Sequence, residues 1–299
     1  MQKRRTLQEL TLKDNFLFAA VMMEQDNCKR LLELALGIEI EHVEVNSEKS
    51  IVYNPEYKGV RLDVFARDEN NTRFNVEMQV ATQFLEKRTR YYHSQMDMDM
   101  LVSGLPYEEL PSCYVLFICD FDPFELGKYR YTVKYVLVED EKFSYQDGNH
   151  TVFLSTRGKN DDEVPRPLVQ FLKFVAAGLA ESTADFEDEF VERLQASIRR
   201  IKQNREMGER YMLFEEMMRN ERAEGRAEGI IEGRTEGITE GITVGMAQAI
   251  LEILEAYGDI PEGLRSRIMS IQDNRVLRQL LKHAVQATTI SEFDSMMNL

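Results

Sequence analysis

Residues 60–80 read VRLDVFARDENNTRFNVEMQV. Two runs in this stretch alternate with period two around the turn-rich DENN, the pattern of a β-hairpin with one apolar face. In VRLDVFA, Val60, Leu62, Val64 and Ala66 share one face, while Arg61, Asp63, Phe65 and Arg67 share the other. In FNVEMQV the apolar face is Phe74, Val76, Met78 and Val80, with Asn75, Glu77 and Gln79 opposite. Matching the apolar faces requires an odd-length loop and pairs Val64 with Val76 and Leu62 with Met78. That register sets Asp63 directly across from Glu77, with β-carbons about 5 Å apart.

Two carboxylates at that separation repel unless one takes a proton or a cation lies between them. Asp, Glu and a nearby backbone carbonyl supply the oxygen ligands that Mg²⁺ prefers, with water and a substrate phosphate completing the shell. The alternative is a solvated strand face, on which Asp and Glu are common.

Outward from the hairpin, residues 14–36 are dense in Phe, Leu, Met and Ala and stop at Gly37, which predicts one or two helices. IEIEHVEV alternates as a strand, and the turn-rich NPEYKG separates it from the hairpin. Residues 83–103 carry apolar groups at helical intervals until Gly104 and Pro106 end the run. CYVLFIC is a continuous apolar run that suits a strand buried on both faces, with YTVKYVLV and TVFLS as later strands. The order helix, three strands, helix, strand predicts a mixed α/β sheet flanked by helices.

The chain has 299 residues, 43% hydrophobic and 30% charged, enough to fold with a sizeable core. No apolar run follows the basic start, and no later segment approaches the roughly 18 uncharged apolar residues of a membrane span. Cys28, Cys113 and Cys119 form neither a metal-like cluster nor an even disulfide set. A cytoplasmic, soluble protein with no membrane partner is expected. The net charge of −15 disfavours nonspecific attraction to nucleic acid, although the acidity is concentrated after residue 180 and leaves room for a local basic face.

RLDVFA followed by FNVEMQ resembles the Rpn family of recombination-promoting nucleases, also called PD-(D/E)XK nuclease family transposases. The resemblance continues through LKDNFLFAAVM, RTRYYHSQM and GLPYEELPSCYVLFICDFDPF to the EG repeats, covering most of residues 11–180 plus the repeat. It implies a restriction-endonuclease-like (PD-(D/E)XK) α/β domain over residues 1–165. It also implies Mg²⁺ as cofactor, with Mn²⁺ or Ca²⁺ as substitutes, and DNA as partner. Asp63 and Glu77 match the acidic metal ligands, with the carbonyl of Met78 as a third. Gln79 stands where the superfamily pattern has the catalytic lysine, a departure the Rpn-type pattern shares. Lysine would place a charge near the attacking water or the phosphate, whereas glutamine offers only neutral groups. Lys87 or Arg88, in the following helix, would return that charge; the competing reading for both is a solvated helix face. Tyr91 and Tyr92 match aromatic positions of the family helix that would approach sugar or base, with core packing as the alternative. Glu24 and Glu33 are candidates for an assisting upstream acid. His93 reads as structural, and Asp97 and Asp99, two apart on a helix, point in different directions.

Beyond Pro165 and Pro167 the sequence turns all-α: a helical region over 166–221, a repeat over 222–245 and short amphipathic helices over 246–299. The repeat reads RAEG RAEG IIEG RTEG ITEG ITVG, with glycine at 225, 229, 233, 237, 241 and 245. A glycine stripe of this kind suits either a long helix packed against a second copy, making a homo-oligomer, or a flexible charged linker. The leading expectation is a divalent-metal-dependent DNA endonuclease linked to recombination, mobile elements or defence. The alternative is a catalytically inactive nuclease fold that acts as an oligomeric interaction module.

Overall fold

In the computed structural model, which describes residues 5–51, 60–82 and 84–297, the first seven elements follow the predicted order. They are α1 (Asn15–Met22), α2 (Gln25–Leu36), β1 (Val43–Ile51), β2 (Val60–Asp68), β3 (Arg73–Gln79), α3 (Leu85–Met100) and β4 (Cys113–Cys119). β5 (Arg130–Val133), β6 (Tyr135–Leu137), β7 (Asp140–Tyr145) and β8 (Asn149–Ser155) follow. The rest is helical: α4 (Arg166–Ala176), α5 (Glu189–Gln203), α6 (Arg205–Glu255), α7 (Glu262–Met269), α8 (Asn274–Gln286) and α9 (Ile290–Met297).

Gly37 ends α2 as its position in the sequence requires. Its φ of 70° is left-handed, and its N–H returns to the Glu33 carbonyl at 2.9 Å. Six strands form one mixed sheet in the order β1-β2-β3-β4-β8-β5. β3, β4 and β8 run parallel and the other pairs are antiparallel. CYVLFIC becomes β4 and lies between two parallel neighbours, with Cys113, Val115, Phe117 and Cys119 buried on one face and Leu116 and Ile118 on the other. That is why the run lacks polar alternation.

α3 covers the face that carries Val115, Phe117, Cys119 and Phe153, burying Leu85, Tyr92 and Met96 among them. α1 and α2 pack on the sheet, and α4 and α5 pack against these helices and each other. A polar link ties two of these helices together: Asn27 donates to Ser197 Oγ at 3.1 Å, and Glu24 accepts from Ser197 at 2.7 Å and from Arg200 at 2.8 Å.

Two expectations shift and a third is untested. Residues 38–42 stay outside β1, which begins at Val43. YTVKYVLV divides at Lys134: β5 joins the edge of the main sheet, whereas β6 turns away to pair with β7 in a separate two-stranded sheet. NPEYKG lies outside the described residues.

The chain divides into two units, one ending at Leu213 and one spanning Phe214–Leu299. In the second, Ala247, Ile250, Leu251 and Leu254 of α6 join Leu264, Ile268, Leu277, Leu280 and Phe293 in a small core. Residues 222–245 are helical throughout. One window of α6 is apolar and long enough to resemble a membrane span, which the sequence reading did not anticipate, and the buried Ile250, Leu251 and Leu254 belong to the core just described.

Candidate functional site

Hydrophobic alternation sets the phase of the hairpin as expected. Val64 pairs with Val76, Phe65 with Asn75, Ala66 with Phe74 and Arg67 with Arg73. The ladder ends there, so the expected pairing of Leu62 with Met78 is not formed. In its place the side chains take over. The backbone N–H of Asp63 donates to Glu77 Oε1 at 3.3 Å, and the backbone N–H of Met78 donates to Asp63 Oδ2 at 3.2 Å. Beyond the end of the ladder, each carboxylate accepts a backbone N–H from the opposite strand.

The two carboxylates are therefore brought together, with Asp63 partly exposed and Glu77 only 2% exposed. The solvated-face reading fails for β3, because Asn75, Glu77 and Gln79 are all buried. Burial, reinforced by the Asp63 charge, pushes the Glu77 carboxyl up to about 8. The orientation of the Met78 carbonyl follows from that of its N–H. On a strand, a residue's N–H and C=O face the same neighbour; the Met78 N–H faces Asp63, so its carbonyl does too. The Gln79 carbonyl points the other way and accepts from Asp120 N at 2.9 Å.

The position that lysine would fill is organised around Arg88. Its Nη1 donates to Gln79 Oε1 at 2.7 Å and its Nη2 to the Tyr92 hydroxyl at 2.8 Å. The same Nη2 lies 3.5 Å from Glu77 Oε2. The guanidinium sits 5.4 Å from the centroid of the Tyr92 ring and 5.8 Å from that of Phe117. One turn of α3 separates Arg88 from Tyr92, which puts both on one face. Lys87, a residue earlier, is exposed, and Tyr91 is half-buried against the core beneath α3.

Other candidates fall away from this centre. Glu24 is held by Ser197 and Arg200, and Glu33 lies 3.9 Å from Lys29 and 3.6 Å from Arg30. His93 is structural: its ring nitrogens lie 2.9 Å from Cys113 Sγ and 2.9 Å from Thr151 Oγ1, and burial lowers its pKa to about 4. Burial likewise raises the Cys113 thiol, so the contact joins neutral partners.

Two nearby residues, Asn15 and Lys13, were missed by sequence reasoning. Asn15, at the start of α1, donates to Asp63 Oδ2 at 3.5 Å. Lys13 pairs with Asp120 at 3.0 Å, beside the end of β3. Tyr92 orients Arg88 as well as filling the core. Asn15 and Lys13 lie within LKDNFLF, yet no local periodicity marks them, because their partners are far along the chain.

Among the described residues no cluster of three or more His, Cys, Asp and Glu side chains forms a metal site. Two carboxylates and a carbonyl would leave the remaining positions to water and phosphate, which fits a small hard cation. The buried, mutually repelling carboxylates fit it as well.

No curated protein and no solved structure matches the chain. The family model described as PD-(D/E)XK nuclease family transposase matches residues 16–224, well over half the chain and including β2, β3 and α3. With the mixed sheet and the paired acids of the hairpin, this match identifies the chain as a member of the PD-(D/E)XK nuclease family transposases.

Proposed function

We propose that this protein is a divalent-metal-dependent DNA endonuclease. The observation that carries the reading is the crossed contact of Asp63 with Glu77 at the open end of β2 and β3, with Glu77 buried beside a like charge. Nucleases of this superfamily typically use divalent metals. The Asp63 and Glu77 carboxylates and the Met78 carbonyl would hold the ion, Mg²⁺ first among candidates. When bound, the cation supplies a water of lowered pKa and offsets charge on the phosphorus.

The chain's own residues do the rest. Arg88 supplies the fixed positive charge that Gln79 lacks, and Gln79 supports catalysis by accepting from Arg88. Tyr92 holds the second guanidinium nitrogen. Without a cation, the buried Glu77 carboxyl retains a proton near neutral pH and relieves its repulsion with Asp63. The exposed Lys87, and the accessible part of the half-buried Tyr91 one turn further along α3, would meet the DNA backbone or a sugar.

The test is plasmid nicking with Mg²⁺, Mn²⁺, Ca²⁺ or EDTA, beside Asp63→Ala and Glu77→Ala at matched folding. Cleavage that needs metal and vanishes in both variants supports the reading; cleavage unchanged by the substitutions refutes it. A second reading, an inactive nuclease fold acting as an oligomeric module, draws on α6. Cβ atoms added at Gly225, Gly229, Gly233, Gly237, Gly241 and Gly245 would meet nothing within 4 Å. Nothing among the described residues requires those glycines, whereas a second copy packed closely along the stripe would. Such self-association is compatible with either reading.

A further inference from the structure

We propose that Asn75 is a positioning residue that sets the orientation of Glu77 for cation binding; this rests on the metal-site reading above. Asn75 lies two residues before Glu77, so both side chains leave the same face of β3. Its ladder neighbours on that face are apolar, Phe65 on β2 and Val115 on β4. It is 0% exposed, and neither its Oδ1 nor its Nδ2 has a hydrogen-bond partner. A strand position walled by Phe and Val ordinarily takes a β-branched or aromatic residue. A buried amide with both polar atoms unanswered works against folding there, so its presence calls for another explanation.

Glu77 supplies one. The Asn75 amide, two residues before Glu77 on the same strand face, favours the ionised form of that carboxyl, although no hydrogen bond joins the two. Glu77 itself is loosely held, at 3.3 Å from the Asp63 N–H and 3.5 Å from Arg88. A modest turn of the carboxyl would bring one oxygen onto the Asn75 amide and free the other for a cation shared with Asp63. Residues that orient a ligating carboxylate commonly contribute tenfold or more to metal affinity. The unanswered amide is then a group made ready for the ionised, cation-bound form.

Thermal unfolding of the full chain across a Mn²⁺ titration tests this without depending on catalysis. Asn75→Leu removes the amide at similar volume, and Asn75→Ala serves if the larger side chain does not fit. The expected result is a metal-free Tm for Asn75→Leu at or above that of the wild type. The Mn²⁺ concentration that gives half of the stabilisation should rise by roughly tenfold in the variants. A rise smaller than threefold in whichever variant folds overturns the proposal. Asp63→Ala and Glu77→Ala run in parallel: if either leaves the Mn²⁺ response intact, the metal-site reading fails, and this assignment with it. If both abolish the response and the Asn75 variants do not shift it, only the assignment fails.

Discussion

Asp63 and Glu77 brace each other crosswise: each carboxylate accepts a backbone N–H from the opposite strand, Asp63 from Met78 and Glu77 from Asp63 itself. A side-chain amide oxygen can accept the same bond, so Asp63→Asn and Glu77→Gln should leave the hairpin folded. Loss of charge should lower metal-dependent cleavage by about 10²-fold or more. Circular dichroism beside a nicking assay checks both halves of the expectation.

The stability of the metal-free protein should fall as pH rises through the neutral range. Burial and Asp63 raise the folded-state pKa of Glu77 from 4.5 to about 8. Between those values the native state binds more protons than the unfolded state, so stability is fullest below about 4.5 and is lost as pH climbs towards 8. Melting curves from pH 5 to 8.5 should show this contribution, and Glu77→Gln should remove it. Because binding a cation expels the same proton, metal affinity should rise over that window.

Arg88→Ala should reduce cleavage by roughly 10²- to 10³-fold, the cost of removing one preorganised donor to developing charge. Gln79→Lys, which restores the superfamily residue, should not improve the enzyme while Arg88 is present. Arg88 now donates to the side-chain oxygen Oε1 of Gln79 at 2.7 Å, and an ammonium there would repel it. Activity of the Gln79→Lys, Arg88→Ala double variant should exceed that of Arg88→Ala alone, as steady-state rates on a supercoiled plasmid can establish.

The glycines of α6 give opposite expectations for a single chain and an assembly. Alanine at Gly229, Gly233 and Gly237 meets open space in one chain and should stabilise the helix by roughly 0.5–1 kcal/mol at each position. If two copies pack along the stripe, the same substitutions should dissociate them. Sedimentation velocity with helicity measured on the same samples distinguishes the two.

Period-two alternation carried the pairing of Val64 with Val76, because one slipped residue would have moved every apolar side chain to the wrong face. It carried no information on where the ladder stops, since that depends on two carboxylates capturing backbone N–H groups. Nor did it reveal that Asn75, Glu77 and Gln79 are buried, because the cover comes from α3, whose placement depends on long-range packing with Phe117 and Phe153. Lys87 and Arg88 were indistinguishable as letters; helix phase separates them, turning Arg88 towards Glu77 and leaving Lys87 exposed. YTVKYVLV misled for the same reason, since alternation describes a strand but not the sheet it joins.

The acidic pair, Gln79 and Arg88 all come from one hairpin and the helix that follows it. Every contact among them spans a short stretch of chain, so little loop entropy opposes their meeting. The parallel strands β4 and β8 must arrive from further away to close the sheet. The expected order of assembly is therefore β2, β3 and α3 first, with β4, packed beneath α3 and paired with β3, completing the burial of Glu77.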